Sequence, residues 1–108
     1  MKIEIPLTET VYLVLLSMIK ANHGYGVQQF VERETDGRVK FGPGTLYGAI
    51  NNLAKKKWIE PLPKDKNDRK KEYIITELGL MNLKAEISRM NQVLKIANRQ
   101  LEENNEKV

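Results

Sequence analysis

A regular repeat of apolar residues near the end of the chain limits its fold more than any other feature. Over three heptads the apolar positions step by three and four residues, at Leu80, Leu83, Ile87, Met90, Leu94, Ala97 and Leu101. This spacing predicts one helix from Thr76, as N-cap, to about Asn104, roughly 42 Å long at about 1.5 Å per residue. In a chain of 108 residues such a helix extends beyond a compact domain, so part of its apolar seam needs another surface to cover it.

A second copy of the chain is the simplest cover for this seam, and the pattern therefore predicts a homodimer. The interface is expected at Leu83, Ile87, Met90, Leu94, Ala97 and Leu101. In the alternative, the seam packs on an apolar helix of its own chain, and we expect the first half to do so in part. We accordingly expect two domains, residues 1–76 and a dimerisation helix at 77–108.

Shorter elements are predicted before this helix. They are helices over 8–21, over 25–35 and from Pro43 onward, and two strands within 58–63 and 71–76. Thr8 is the expected N-cap of the first helix, and Asp36-Gly37 closes the second. The strands enclose a polar tip and form a hairpin, in which Pro61 confines the first strand to an edge.

The third of these helices has two faces of opposite character. It begins in the sequence GPGTLYGAINNL, where Pro43 suits a first helical turn because its missing N–H would lack a partner there in any case. Leu46, Ile50 and Leu53 recur at helical spacing and predict the buried side. The opposite side is small, polar and free of acid, and it consists of Gly44, Gly48, Asn51, Asn52 and Lys55.

Positive charge is concentrated immediately after this helix. The net charge is +4, from 18 basic and 14 acidic residues. Residues 1–54 carry five groups of each sign, residues 55–71 carry eight basic and three acidic groups, and residues 72–108 carry five and six. The net charges are thus 0, +5 and −1, so the excess lies in KKKWIEPLPKDKNDRKK. Lysines on a turn often serve only solubility, but their position beside a small polar helix face favours an anionic partner.

Several classes of function find no support in the sequence. There are no cysteines, which excludes disulfides and thiolate metal sites and suits a reducing compartment. The only histidine, His23, precedes a glycine at a helix start, where a cap or turn role is favoured over catalysis. No phosphate-binding loop or dinucleotide fingerprint is present. We therefore expect neither an enzyme nor a cofactor or metal site. The lack of a signal peptide or long apolar run predicts a cytoplasmic protein without membrane contact.

Three helices followed by a hairpin is the order of a winged helix-turn-helix. The predicted fold class is mainly α with a small β-hairpin, extended by the long C-terminal dimerisation helix. The third helix would enter the DNA major groove, where Asn51 and Asn52 could pair with adenine while other groups bond to phosphates. The predicted contacts to double-stranded DNA are Thr45, Tyr47, Asn51, Asn52, Lys55, Lys64, Lys66, Arg69, Lys70 and Lys71.

Three stretches together resemble the PadR family of transcriptional regulators, over nearly the whole chain. HGYGV at 23–27 resembles the family's entry to its second helix, and GTLYGAINNLAKKKWI at 44–59 resembles its recognition helix and following turn. RKKEYIITELG at 69–79 resembles the wing strand and the start of the last helix. The resemblance implies a dimeric repressor whose single C-terminal helix exchanges contacts with its partner. It supports as DNA contacts Thr45, Tyr47, Arg69 and Lys71.

The resemblance also implies a small-molecule effector, commonly apolar or aromatic, bound near the dimer interface. Residues 77–108 contain no aromatic side chain, so a flat ligand stacked between the two last helices has no support in the sequence. Tyr12, Trp58 and Met90 could line an apolar pocket, although Trp58 is favoured as a plug between the third helix and the wing.

The chain also departs from the family's pattern after the third helix. Where Lys57 stands, the family usually has a glycine.

Two other functions remain open for the same fold. A winged helix used as a protein-interaction module would need no basic wing. A binder of double-stranded RNA would also be basic, but the deep, narrow major groove of A-form RNA excludes a reading helix. Binding to RNA should therefore survive loss of Asn51 and Asn52, whereas sequence-specific binding to DNA should not.

Overall fold

The computed structural model describes residues 2–63 and 71–105. Its elements are, in chain order, α1 (Glu9–Ser17), β1 (Asn22–His23), α2 (Gly24–Glu34), α3 (Pro43–Lys55), β2 (Ile59–Pro61), β3 (Glu72–Ile75) and α4 (Glu77–Asn105). The principal extents are 64 × 34 × 21 Å, because α4 projects well beyond the remaining elements. The predicted fold class, a mainly helical winged helix-turn-helix with a long C-terminal helix, is confirmed.

Side-chain caps fix the starts of three helices. The Thr8 hydroxyl accepts a hydrogen bond from a first-turn amide of α1 at 3.1 Å, and the Thr76 hydroxyl does the same for α4 at 3.1 Å. His23 caps α2 through Nδ1, which accepts a hydrogen bond from Gly26 N at 3.1 Å. Each bond satisfies an amide that has no partner within its own helix. The caps predicted at Thr8 and Thr76 and the cap role favoured for His23 are therefore confirmed.

Helix α1 ends at Ser17, before the predicted end at residue 21. Asn22 Nδ2 donates to the carbonyl oxygen of Ser17 at 3.1 Å, and Ile75 N donates to that of Met18 at 2.8 Å. These bonds satisfy carbonyl groups that a longer helix would have used. The chain therefore bends toward the sheet, although the sequence beyond Ser17 continues the apolar run.

The sheet has three strands, so the predicted two-stranded hairpin was incomplete. Strand β3 is central and antiparallel to both neighbours, β2 on one side and β1 on the other. Strand β1 consists only of Asn22 and His23, paired with Tyr73 and Glu72, and two residues are too few to show a periodic pattern in a sequence. Pro61 lies in the edge strand β2, as predicted.

Helix α3 ends on a residue in the left-handed region. Lys57 has a φ of 63°, and the following amide, Trp58 N, donates back to the carbonyl oxygen of Leu53 at 3.0 Å. Helices that end in this way commonly place glycine at this position, because a Cβ there is strained. Trp58 is then buried at the junction of α3 and β2, in agreement with its predicted role as a plug.

The core lies where α1, α2 and α3 meet the sheet. Leu46, Ile50 and Leu53 are buried on α3, as the helical spacing predicted. They pack in one cluster with apolar side chains of the other elements, among them Leu15, Val27, Val31, Ile59 and Tyr73. The opposite face of α3 remains at the surface, so burial of one side presents the other.

Helix α4 has two halves with different surroundings. In the first half Leu83 is buried in the core of its own chain, and Ile87 is half-buried. From 91 to 103 every residue is exposed, including Leu94 and Leu101. The seam therefore packs on its own chain only in the first half, as expected. The division into two domains stays a prediction, and the first half of α4 supplies part of the winged-helix core.

The N-terminal segment, residues 2–7, lies against α4 through two buried polar side chains. Asn82 Oδ1 accepts a hydrogen bond from Glu4 N at 2.7 Å, and Glu86 Oε2 accepts one from Leu7 N at 3.0 Å. Asn82 and Glu86 are 0% and 1% exposed. Buried polar groups stabilise a fold only when their hydrogen bonds are made, and both side chains satisfy this condition.

Candidate nucleic-acid interface

The exposed face of α3 carries the small and polar residues that the sequence predicted. A Cβ built on Gly44 or on Gly48 would meet no atom within 4 Å. The packing of the protein therefore does not require glycine at either position, and this face is open to close approach by another molecule. The predicted contact residues exposed on α3 are Thr45, Tyr47, Asn51, Asn52 and Lys55.

A groove that we call the N-terminal groove runs along one side of α3. It has a volume of about 700 Å³ and lies between α3, the N-terminal segment and the start of α1. Three of the predicted contacts, Thr45, Asn52 and Lys55, line it together with apolar side chains such as Val11 and Trp58. The groove thus combines apolar side chains with a polar edge on α3.

An ion pair lies at the edge of this groove. Lys56 Nζ is 3.1 Å from Glu4 Oε2 and 4.9 Å from the centroid of the Trp58 ring. The hydrogen bond from Lys56 lowers the pKa of the Glu4 carboxyl below its usual range. Both charged groups are partly exposed, so the pair contributes little to stability. Its consequence is electrostatic, because it places a negative charge beside the end of α3.

On the other side of α3 lies a cleft of about 490 Å³, which we call the wing cleft. It is formed by the start of α2, by α3 and by the region before β3. Three further predicted contacts, Tyr47, Asn51 and Lys71, line it. Pairing of β1 with β3 brings Lys71 to this place, because His23 at the start of α2 is the register partner of Glu72.

The two grooves therefore gather six of the ten predicted DNA contacts around α3. The other four lie outside the described residues, and they are Lys64, Lys66, Arg69 and Lys70. The contacts that the structure describes come from separate parts of the sequence but border one surface, which is the arrangement that an extended polyanion requires.

The turn between α2 and α3 is held by contacts that the sequence did not indicate. Arg38 makes two hydrogen bonds to the Glu9 carboxylate, at 2.6 and 3.1 Å, and Gln28 Nε2 donates to the carbonyl oxygen of Phe41 at 2.8 Å. The bond from Arg38 lowers the pKa of Glu9, and the same bond raises the pKa of Arg38. These bonds tie the segment before α3 to α1 and α2, and so help to set the direction in which α3 starts.

The sequence analysis missed two features of this interface. One is the ion pair between Glu4 and Lys56, and the other is the position of Tyr25 in the wing cleft. Glu4 and Lys56 are separated by 52 positions, and no local pattern relates them. Tyr25 lines the wing cleft and is 64% exposed. This position could not be predicted, because the cleft depends on the pairing of β1 with β3. The motif HGYGV did contain a signal, since it lies where a connecting segment enters a helix, and surface connections often carry binding residues.

Residues 2–63 and 71–105 contain neither a cluster of metal-ligating side chains nor a membrane-spanning helix. In these ranges no group of three or more His, Cys, Asp or Glu side chains is placed to hold a metal ion. Over the same part of the chain no helix is both long and apolar enough to cross a membrane.

Solved structures of transcriptional regulators are similar to this fold. A transcriptional regulator from Clostridium thermocellum aligns with a TM-score of 0.73 at 23% identity, over 83% of this chain and 87% of that one. A PadR-like transcriptional regulator from Bacillus cereus aligns with a TM-score of 0.69 at 21% identity, over 85% and 89%. A PadR family regulator from Clostridium difficile R20291 gives 0.66 at 22% identity, over 84% and 97%. At such identities the likeness concerns the fold.

The family itself is established by sequence. A comparison with curated proteins found no match. The model of the transcriptional regulator PadR-like family matches residues 13–85, which contain α2, α3, the sheet and the first turns of α4. This range includes the wing cleft, the exposed glycine-bearing face of α3 and the α3 side of the N-terminal groove. The chain therefore belongs to the PadR-like family of transcriptional regulators, which are DNA-binding proteins and not enzymes.

Proposed function

We propose that the protein acts as a homodimer that binds a palindromic site in double-stranded DNA and represses transcription there. The observation that carries this proposal is the open face of α3. Gly44 and Gly48 leave free space at two successive turns of that face, so the helix backbone can come close to base edges. In a winged helix-turn-helix this helix occupies the major groove.

The residues around this face divide into two roles. Asn51 and Asn52 read bases, because an asparagine side chain can pair with adenine through two hydrogen bonds. The remaining contacts hold the sugar-phosphate backbone and carry no sequence information themselves. They are Thr45, Tyr47, Lys55 and Lys71, with Lys64, Lys66, Arg69 and Lys70 from the wing.

The second half of α4 is the proposed dimer surface. Leu94 and Leu101 are 58% and 69% exposed, which leaves an apolar stripe in water in a single copy. A two-fold interface would bury the stripes of both copies against each other or against the partner's core. The interface is proposed at Ile87, Met90, Leu94, Ala97 and Leu101, while Leu83, buried in its own chain, supports it from the core side.

Selection from a random pool of duplex DNA, at two salt concentrations, tests the proposal. The native protein should enrich a palindrome with half-sites about one helical turn apart, or a multiple of it. An Asn51→Ala, Asn52→Ala double variant should lose this sequence. Gln29→Ala, an exposed position on α2 that lines neither groove, should keep it. An asymmetric site, no enriched site, or tighter binding to duplex RNA would contradict the proposal.

The oligomeric state is tested separately by a charge placed in the stripe. Leu94→Glu should yield monomers in sedimentation experiments and weaken binding to the full palindrome at least tenfold. The far-ultraviolet circular dichroism should persist, because this side chain does not pack on its own chain. Gln92→Glu adds the same charge on the opposite side of α4 and should remain dimeric. A dimer in the Leu94→Glu variant would place the interface elsewhere.

The proposal includes two finer points. Release from DNA by a small apolar or aromatic effector at the dimer interface is expected to depend on Tyr12 and Met90, both half-buried. A reporter gene under the selected palindrome would distinguish repression from activation. The cytoplasm is the proposed location, since a regulator of this kind works where it meets DNA.

A further inference from the structure

The wing cleft brings together hydrogen-bond donors from three separate parts of the chain. Tyr25 comes from α2, Tyr47 and Asn51 come from α3, and Lys71 precedes β3. Each of these side chains can donate a hydrogen bond, and Lys71 carries a full positive charge. The cleft has a volume of about 490 Å³, which leaves room for a ligand group larger than a water molecule.

The charges along the two sides of α3 differ in sign pattern. Among the described residues that line the wing cleft none is acidic, whereas the N-terminal groove contains Glu4. The start of α2 adds the partial positive charge of a helix N-terminus to the wing cleft. The N-terminal groove contains Lys55 and Lys56 as well, so both grooves are net positive, but in the wing cleft an anion would meet a lysine with no acidic side chain among the described lining residues.

Packing within the protein holds these donors in place. A Cβ on Gly24 would lie 2.7 Å from Tyr47 Oη, so the glycine lets the tyrosine hydroxyl reach the start of α2. Lys71 Nζ lies 5.5 Å from the centroid of the buried Tyr73 ring, which restrains the ammonium group near the cleft. His23 also lines the cleft, and because its Nδ1 caps α2 while its backbone pairs with β3, it fixes the start of α2 against the sheet.

We propose that the wing cleft binds one backbone phosphate of the DNA, held by the Tyr25 and Tyr47 hydroxyls and the Lys71 ammonium group. The inference rests on the proposed function and adds a contact from the start of α2. When α3 occupies the major groove, the two phosphate backbones pass along its two sides, and the wing cleft faces one of them. Tyr25 is thereby a DNA contact, and His23 is a positioning residue.

Neutral substitution of single phosphates in the selected palindrome tests the inference. Methylphosphonates are placed at one position at a time, and affinity is measured by fluorescence anisotropy. In each half-site we expect one position at which the substitution weakens native binding about tenfold, as for loss of one charge-assisted contact. At that position the same substitution should weaken the Lys71→Gln and Tyr25→Phe variants less than threefold, because they already lack part of the contact.

Two matched variants separate this contact from general effects. Lys84→Gln removes an exposed lysine from α4, outside both grooves, and should retain the full tenfold effect. His23→Ala should reduce the effect, and His23→Asn, which keeps a side chain able to cap α2, should restore most of it. A Lys71→Gln variant should also show a salt slope lower by about one.

The outcomes distinguish the two proposals. A full tenfold effect in both Lys71→Gln and Tyr25→Phe would overturn the phosphate site while leaving sequence-specific DNA binding intact. Absence of any enriched DNA sequence would overturn the proposed function and the phosphate site with it. Equal effects of His23→Ala and His23→Asn would remove the positioning role of the cap.

Discussion

The buried carboxylate of Glu86 lies 3.0 Å from the backbone nitrogen of Leu7, and this hydrogen bond joins the N-terminal segment to α4. Arg89, one helical turn further on, donates two hydrogen bonds to the same carboxylate. The bonds from Arg89, with a smaller contribution from Leu7 N, lower the pKa of Glu86, while burial acts in the opposite direction. The carboxylate is thus held in its charged form although water is excluded from it.

Acid should weaken this junction. A carboxyl whose pKa is lower in the folded than in the unfolded state stabilises the fold fully above its unfolded pKa. That contribution is lost as the pH falls through the folded pKa. Glu86→Gln should therefore lower the free energy of unfolding by about 1–2 kcal/mol at pH 7. The difference in stability between the variant and the native protein should shrink as the pH falls below 4.5, the ordinary pKa of a glutamate carboxyl. Urea unfolding as a function of pH measures it.

The exposed Glu102, on the same helix, provides the control for this experiment. Glu102→Gln should change the free energy of unfolding by less than about 0.5 kcal/mol. A Glu86→Gln deficit that stayed constant down to pH 3 would show that the effect comes from the shape of the side chain and not from its charge.

Gly79 is required by a close approach of two backbones. A Cβ at this position would lie only 2.1 Å from the carbonyl oxygen of Trp58, and that atom belongs to the main chain. Gly79→Ala should therefore lower the free energy of unfolding by about 2–3 kcal/mol or more, despite alanine's higher helix propensity. Thermal unfolding measures the change, and a variant as stable as the native protein would show that α4 can shift at its first turn without cost.

The protein should be more stable with glycine in place of Lys57. The lysine's φ of 63° is strained for a residue with a Cβ, and glycine at the same place relieves the strain. Lys57→Gly is expected to raise the free energy of unfolding by about 0.5–1 kcal/mol, net of the extra freedom of glycine in the unfolded chain. Lys55→Gly, two residues earlier and within the helix, should lower it by about as much. Equal signs for the two variants would contradict the explanation.

Gly48 should separate stability from binding. Because a Cβ there meets nothing within 4 Å, Gly48→Ala should raise the free energy of unfolding by about 0.5–1 kcal/mol through helix propensity. The same methyl group would stand between α3 and the DNA bases, so affinity for the selected palindrome should fall at least tenfold. Unchanged affinity in a more stable protein would mean that this face does not approach DNA closely.

Glu4 should act against DNA binding. Its carboxylate forms an ion pair with Lys56, 3.1 Å away, at the end of α3, so this lysine is less available to a phosphate. Glu4→Gln frees the lysine for a phosphate and removes a negative charge, so affinity should rise about threefold to tenfold and the salt slope should steepen by up to about one. Glu102→Gln again serves as control. Weaker binding by Glu4→Gln would mean that the ion pair holds Lys56 in a productive position.

Regular periodicity explains which parts of the fold were predictable. The buried side of α3 and the seam of α4 follow from residues spaced three and four apart, and the caps at Thr8 and Thr76 follow from local hydrogen-bond chemistry. Strand β1 could not be predicted, because its two residues become a strand only by pairing with β3. The tertiary environment, and not the local sequence, decides such short elements.

The site divides in the same way. The exposed side of α3 could be predicted because it is the complement of a buried side, and Asn51, Asn52 and Lys55 are indeed at the surface. The pair of Glu4 and Lys56 could not, because it joins positions 52 apart whose meeting depends on the path of the N-terminal segment. Contacts of this kind depend on how separate elements pack together, which local spacing does not encode.

Because α4 is one continuous helix, a small rotation of its inner part produces a larger displacement at its far end. Its inner part is gripped by the N-terminal segment at Asn82 and Glu86, and the remainder, about 27 Å long at about 1.5 Å per residue, extends beyond the core. A rotation of about 5° at the grip would displace the far end by about 2 Å on this length. In the proposed two-fold dimer such a displacement would be doubled between the copies. A small change at the grip would then alter the distance between two recognition helices without altering either of them.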